Sequence, residues 1–578
     1  MSYRAPTEDQ IFNLQHMAQV DELREYACYS DLSPDVVASV ASAAAEFSEG
    51  EYAPINRLGD TVGARWEDGR VCMPAGFKEA YRASVDNGWG GVNAPTAFGG
   101  QGLPFAMTTL VLECLGSANF ALTLIHGLTI GAIEAIDAHG SAEQKATWLP
   151  RLISGEWPGT MNLTEPHAGS DVGALTTTAT PLGDGRYSIR GTKIFITFGD
   201  HDMVDNIVHL VLARTAGAPA GTRGISLLVV PKYRLNENGE PAHFNNVRCL
   251  SIEHKLGIHA SPTCVMSFGE DGDCVGELVG AEGAGMRAMF TMMNCARLFV
   301  GNQGVQIAEV ATQKAVAYAR ERIQSPRSDG SSRDTPVAII EHPDVRRMLL
   351  RMKALTQAAR ALVYYAAGQV DRSRLGAGGA KERLDLLTPL AKAYGTDIGC
   401  EVASLAIQVH GGMGFVEETG VAQFYRDIRI TPIYEGTNGI QAADLVTRKL
   451  MGDQGAALTA LLDDIASDAE HEAELVGLHR SVSDCLRWLL AADVNDRLAG
   501  SYAFLKMVAA LTCGWLLLRQ EKAAFDRRDE YGDLFHTAKS SVTRFYIRQI
   551  CPEMAGLAAQ ATAGATLLYA ATPEMLAS

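Results

Sequence analysis

The chain has 578 residues, 47% of them hydrophobic and 20% charged, which is the balance of a globular protein with a large core rather than a disordered or fibrous one. At roughly 150 residues per domain this length provides for three or four domains. A net charge of −17 argues against sequence-independent binding to nucleic acid, and the 11 cysteines, scattered without a C-x-x-C pair or a histidine cluster at metal spacing, read as reduced core residues of a cytoplasmic protein with no metal site.

The opening MSYRAPTEDQIF has no basic stretch followed by an apolar run, so no signal peptide is expected. The apolar stretches read as short and broken by charge or glycine, so no membrane-spanning helix is expected either. Residues 1–35 read as an N-terminal arm. From 36 to 158 the period is helical, with Leu110, Cys114, Ala118 and Ala121 three and four apart, after a glycine-rich loop at 88–104.

From 159 to 283 the period changes. Thr-rich alternation over 174–197 around Asp184-Gly185 predicts a hairpin, and NIVHLVLAR (206–214), GISLLVVP (224–231) and TCVMSF (263–268) predict strands. From 284 to 452 the helical period returns, with a long helix over about 340–370 behind a Ser/Gly/Asp break from Ser325 to Thr335. An acidic helical extension covers 453–578. Helices, then strands, then helices imply α+β with separate domains, and no G-x-G-x-x-G follows a strand to support a dinucleotide fold.

Three segments and two arginines carry candidate chemistry. In MNLTEPHAGSDVGA (161–174), Thr164, Gly169 and Ser170 offer hydroxyls and bare backbone N–H groups suited to a heterocycle's carbonyls or a pyrophosphate; the plainer alternative is a polar interdomain turn. In GTKIFITFGD (191–200), Phe195 and Thr197 share a strand face, as support for a flat cofactor or as ordinary strand residues. In residues 406–441, Gly411 and Gly412 follow a helical pattern and offer N–H groups to phosphate, while His410 beside them reads as structural. Glu435, between Tyr434 and Gly436 and after Ile430, Pro432 and Ile433, is either a desolvated base or a helix N-terminal acid with Thr437 and Asn438 as caps. Arg297 and Arg322 on the helical region offer phosphate pairing or a solvated face.

Together, LTEPHAGSD (163–171), GTKIFIT (191–197), HKLGIHASPTC (254–264) and IYEGTNGIQ (433–441) resemble motifs of the acyl-CoA dehydrogenase family, in the family's order and approximate spacing over about 60–450. The resemblance implies an N-terminal helical domain, a middle β domain and a C-terminal four-helix bundle, here with an extra helical domain. It implies FAD as cofactor, an acyl-CoA substrate, Glu435 as the base that takes the α proton, and an electron-transfer flavoprotein as acceptor. The strands and loops at Met161, Leu163, Thr164, Gly169, Ser170, Phe195, Ile196 and Thr197 would meet the flavin and pyrophosphate, with Phe195 where many members carry Trp. Arg322 and Gln324 would hold the FAD of a second subunit. Gln408, Gly411 and Gly412 would serve its adenosine diphosphate part, and Thr437 and Asn438 its phosphate region. Ser170, Asn294, Arg297, Tyr434 and Gly436 would line the CoA thioester. The backbone N–H of Glu435 and a flavin hydroxyl would stabilise the thioester oxygen.

Two departures stand out. Ser325-Pro326 replaces the family's aromatic-glycine pair after Gln324, and Pro343 replaces a common Gln. Members with their base on another helix carry it where this chain has Ala296, which leaves Glu435 as the family-consistent base. The length resembles an extended bacterial subgroup whose substrates include 3-(methylthio)propanoyl-CoA of dimethylsulfoniopropionate breakdown and medium- and long-chain acyl-CoAs; the methylthio substrate and a homodimer are the expectations. An acyl-CoA oxidase remains a rival, as does a DNA-associated flavoprotein of this fold, although the acidic extension lacks the basic stripe the latter needs.

Overall fold

A computed structural model describes residues 3–578, so the first two positions of the MSYRAP opening lie outside the described residues. The chain forms two compact units. One is built on Ser39–Ala296, the other on Pro6–Ala38 together with Arg297–Ser578.

In the Ser39–Ala296 unit, helices Phe105–Ala118, Phe120–His139 and Ala142–Ser154 precede the sheet. Asn119 breaks the first pair and caps the second helix by accepting from the Leu122 N–H, and Ser141 with Gln144 forms a capping box on the third. The eight-stranded sheet runs in the order Val247–Ile252, Thr263–Phe268, Arg186–Thr197, Val275–Val279, Ile225–Pro231, Val208–Thr215 and Gly159–Asn162, with Thr178–Gly183 paired to both Arg186–Thr197 and Val208–Thr215. The hairpin expected around Asp184-Gly185 forms, with both residues at positive φ (54° and 71°), as a tight turn between twisted strands requires.

Two central strands are buried on both faces. Val208, Leu210, Leu212, Ile225, Leu227 and Val229 meet the helical core around Ile136, Trp148 and Leu152. Their alternates Val211, Ala213, Leu228 and Val230 meet Tyr187, Ile189 and Met266. This accounts for near-continuous apolar runs where a one-sided sheet would alternate.

In the other unit, the long helices Gly285–Glu321 (from Arg297 onward), Pro343–Arg374 and Ala380–His410 pack with Val421–Ile428. Gly304 and Gly395 let two of these helices touch through backbone, since a Cβ on Gly304 would lie 2.0 Å from the Gly395 carbonyl oxygen. The extension adds Ala473–Ala491, Val494–Asp526 and Arg528–Phe545, and Val494–Asp526 packs on both Pro343–Arg374 and Ala380–His410.

The N-terminal arm belongs to this unit. Asp9 accepts from buried Arg360 (2.7 Å) and from Lys539, while Arg360 also donates to Glu309 (2.8 Å). Asn13 accepts from Gln520 (2.7 Å). Burial alone would raise the Asp9 carboxyl; Lys539 and Arg360 reverse that and hold it well below the usual carboxylate range.

The expectation of only short, broken apolar stretches does not hold. Phe120–His139 and Val494–Asp526 are long and apolar enough to cross a membrane, and 78% of the apolar window of each is buried inside the fold. A helix enclosed by other elements is apolar all round, which is why these two match a membrane pattern.

Candidate active site

In the Ser39–Ala296 unit, the loop after Gly159–Asn162 is fastened to strand Arg186–Thr197 by one buried ion pair. Lys193, fully buried, donates to Glu165 (2.9 Å) and to the Leu163 carbonyl (3.0 Å). Glu165 also accepts from the N–H and hydroxyl of both Thr176 and Thr177, at 2.6–3.0 Å. Burial pushes the Glu165 carboxyl up, but Lys193 and these donors outweigh it and bring it down to about 2. The Ile194 N–H donates to the Thr164 carbonyl (2.9 Å), so the two motifs lie edge to edge.

This fastening leaves a polar, aromatic edge open. Phe195 is 59% exposed at a φ of 59°, unusual for a bulky residue, with Thr197 half-buried two residues on. Gly169 and Ser170 are exposed, and a Cβ at Gly169 would meet nothing within 4 Å. The Ile196 side chain turns into the core and the Met161 side chain packs against the helical cluster, so only their backbone is available to a ligand.

In the other unit, Glu435 (φ 58°) and Gly436 (φ 82°) form two successive left-handed residues before the short helix Asn438–Asp444. Gln441 donates to both their carbonyls (3.3 and 3.4 Å), and Thr437 caps the helix by accepting from the Ile440 N–H. Tyr434 donates its hydroxyl to Gln303. Glu435 itself differs from every other carboxylate described above: its Oε2 is buried without a hydrogen-bond partner. Burial pushes its carboxyl up to about 7, against the opposing charges of Arg297 and Lys392. Among the described residues its backbone N–H finds no acceptor.

Asn438 faces inward. Its amide donates to the Ala393 carbonyl (3.1 Å) and to Asp397 (2.9 Å), and its carbonyl oxygen accepts from buried Lys392 (2.9 Å), which also donates to the Thr431 carbonyl. Arg297 is buried on helix Gly285–Glu321, where Asp444 and Glu435 both act on its charge. Asn294, one turn earlier, is exposed.

A stack of Tyr318 on His410 (centroids 4.3 Å apart) brings the ends of Gly285–Glu321 and Ala380–His410 together. Exposed Arg322 and Gln324 therefore share one end of the bundle with exposed Gln408, Gly411 and Gly412. A Cβ at either glycine would meet nothing within 4 Å. In the Ser39–Ala296 unit an open glycine, hydroxyls and an exposed aromatic face suit a flavin ring, and in the other unit the open glycines at the bundle end suit phosphates, so the residues of each unit fit part of FAD.

Sequence reasoning missed Glu165, Lys193, Lys392 and Asp397. Lys193 had a signal: it shares the inward parity of Tyr187 and Ile189 on its strand, and a lysine there demands a buried carboxylate.

Comparison with known proteins identifies the class. Residues 38–156, 160–270 and 283–450 match the N-terminal, middle and C-terminal domains of acyl-CoA dehydrogenases, and 455–572 match the acetyl-CoA dehydrogenase C-terminal-like domain. The chain belongs to the acyl-CoA dehydrogenase family, FAD-dependent oxidoreductases that dehydrogenate acyl-CoA thioesters.

Among its relatives, 3-methylmercaptopropionyl-CoA dehydrogenase of Ruegeria pomeroyi is 45% identical over 96% of this chain and 97% of its own. A butyryl-CoA dehydrogenase of Syntrophomonas wolfei is 34% identical, covering 96% of both chains. The solved structure of Caenorhabditis elegans ACDH-11 in complex with C11-CoA shares the fold with a TM-score of 0.77 at 19% identity, over 96% of this chain and 93% of that one.

Proposed function

We propose that this chain oxidises 3-(methylthio)propanoyl-CoA to 3-(methylthio)acryloyl-CoA in dimethylsulfoniopropionate breakdown. Support for the substrate is the near full-length likeness to the Ruegeria pomeroyi dehydrogenase. Support for the chemistry is one observation, the buried and unpartnered Oε2 of Glu435.

The α C–H of a thioester is a far weaker acid than a free carboxylic acid, so the base must be strong and the developing charge on the thioester oxygen must be held. Glu435, raised to about 7, takes the α proton on its carboxylate. Its own backbone N–H, which donates to no backbone carbonyl among the described residues, donates to the thioester oxygen. Bound FAD supplies the acceptor for the β hydrogen and its electron pair. Loop residues Leu163, Thr164, Gly169 and Ser170 with strand residues Phe195 and Thr197 would hold its flavin and pyrophosphate, the bundle-end groups Arg322, Gln324, Gln408, Gly411 and Gly412 would hold the FAD of a second subunit, and Asn294, Arg297, Tyr434 and Gly436 would border the CoA thioester. Gln441 keeps the Glu435–Gly436 turn in place for both tasks.

An electron-transfer flavoprotein is the proposed acceptor. The proposed assembly is a homodimer, because the extension already covers bundle helices that would otherwise be free to associate; a solution mass of four chains rejects it. Eleven free cysteines favour a reducing, cytoplasmic setting. A broader β-oxidation role draws on the Syntrophomonas wolfei relative.

Anaerobic mixing of the flavin-loaded protein with methylthiopropanoyl-, butanoyl-, octanoyl- and palmitoyl-CoA tests both readings. Strongest flavin bleaching by the methylthio substrate, lost in Glu435→Gln, is the expected result. Preference for palmitoyl-CoA moves the enzyme to general β-oxidation, and no bleaching by any thioester rejects the activity.

A further inference from the structure

The segment that carries Glu435 is tied to the C-terminal extension by a continuous chain of polar contacts. Glu435 is acted on by the Lys392 ammonium, which donates to the Asn438 carbonyl oxygen (2.9 Å). The Asn438 amide donates to Asp397 Oδ1 (2.9 Å). Asp397 Oδ2 accepts the hydroxyl of Tyr502 (2.5 Å), a residue of the extension helix Val494–Asp526. We propose that Tyr502 and Asp397 are positioning residues for Glu435, so that the extension sets the strength of the base through Asn438 and Lys392. This rests on Glu435 being the base.

The argument is geometric and electrostatic. Lys392 is fully buried in helix Ala380–His410 and has two carboxylates to serve, Glu435 and Asp397. An ionised Asp397 shares the ammonium's field; a neutral one leaves that field to Glu435. Burial pushes the Asp397 carboxyl up, and the Tyr502 hydroxyl opposes this and helps keep it ionised.

The charged and titratable groups around the chain come from three long helices and from the segment that follows Glu435. Lys392 and Cys400 lie on the helix of Asp397; Tyr502 and Lys506 lie on the extension; Arg297 faces Glu435 from Gly285–Glu321, with Asp444 and Arg448 beyond it. Tyr434, next to Glu435, is fixed by Gln303. Only Tyr502 and Lys506 among these belong to the extension. Tyr502 is 38% exposed, so Phe is tolerated there by packing.

The test reads Glu435 directly, independent of turnover. The pH-difference infrared signal of its carboxyl, assigned by its loss in Glu435→Gln, is followed in the flavin-loaded wild type, Tyr502→Phe, Asp397→Asn and Tyr531→Phe. The last is the control: Tyr531 also lies in the extension and loses one hydrogen bond, to Gln15, far from this chain of contacts in sequence and bonding. The expected result is a titration midpoint lowered by roughly half a unit or more in Tyr502→Phe and Asp397→Asn, a threefold change in ionisation constant, and unmoved in Tyr531→Phe. Parallel acyl-CoA kinetics should show a lower kcat with KM within about twofold. A midpoint that stays put or rises in both variants, or that falls equally in Tyr531→Phe, overturns the proposal. Shifted midpoints in a protein that oxidises no acyl-CoA uphold the coupling and reject the assigned reaction instead.

Discussion

Two carboxylates stand at the functional centres of the two units, and they have opposite fates. Glu165 is buried beside a buried lysine and accepts five hydrogen bonds from Lys193, Thr176 and Thr177, which against burial bring its carboxyl down to about 2. The charges of Arg297 and Lys392 act on Glu435, yet it has an oxygen with no donor, and burial pushes its carboxyl up to about 7. Burial acts on both in the same direction. What separates the two is contact: Glu165 has the Lys193 ammonium at 2.9 Å and the donors of Thr176 and Thr177 against it, whereas the Arg297 and Lys392 charges act on Glu435 while its Oε2 has no hydrogen-bond partner.

Removing each carboxylate's function probes that contrast most sharply at Glu435. Glu435→Gln should cut the rate of flavin bleaching by roughly 10³–10⁴, the upper range for a general base, while flavin content and melting temperature stay at wild-type values. A variant that keeps a tenth of the rate makes some other group the base.

At the structural carboxylate the loss should appear in stability instead. Lys193→Met leaves Glu165 buried without its counter-charge and should cost about 3–5 kcal/mol in denaturant unfolding, with flavin released as the 163–170 loop loosens. Pairing it with Glu165→Gln should recover part of that loss. The depressed carboxyl also has a sign: its contribution is present above the ordinary carboxylate value of 4.5 and disappears as pH falls from there to about 2, while burial, which brings the Lys193 ammonium down to about 8 despite Glu165, bounds the ion pair on the alkaline side.

Smaller effects follow from the charges around the base. The reductive rate should rise with pH through about 7, since Glu435 accepts a proton only when ionised. Arg297→Gln removes a charge that favours the anion, so the acidic limb should move to higher pH; a limb that moves down contradicts the opposing roles of burial and Arg297. Phe195→Trp should be the mildest change, within about 0.5 kcal/mol in stability, because the ring already faces outward. Flavin retention by that variant measures how much room the exposed edge offers.

Much of this was legible beforehand, and unevenly. Asp184-Gly185 announced its hairpin, and the strands TCVMSF and GISLLVVP lie where their composition put them. Glu435 was legible as the proposed base but not in its state, since one sequence neighbourhood does not reveal that the charges of Arg297 and Lys392, on two distant helices, act on it. The fasteners Glu165 and Lys193 sit inside the motifs LTEPHAGSD and GTKIFIT without a local signal of their pairing, because a charge in a loop or strand reads as solvent-facing until its parity or partner is known. Asn438 read as a cap or phosphate contact, whereas its side chain serves Lys392 and Asp397. The short strands Arg65–Glu67, Arg70–Cys72 and Tyr233–Leu235 carried no periodic signal to find. Least visible was the arm, whose partners lie hundreds of residues away.

That arm has a temporal consequence. Asp9 is held by Arg360 and by Lys539, 530 positions further along the chain. At about 5–20 residues per second on a ribosome, roughly half a minute to two minutes separates the synthesis of the two ends of that contact. The helix that carries Asp9 is therefore secured only after Lys539 has been made, and until then its acidic and apolar groups are exposed to whatever chaperones or neighbouring chains are at hand.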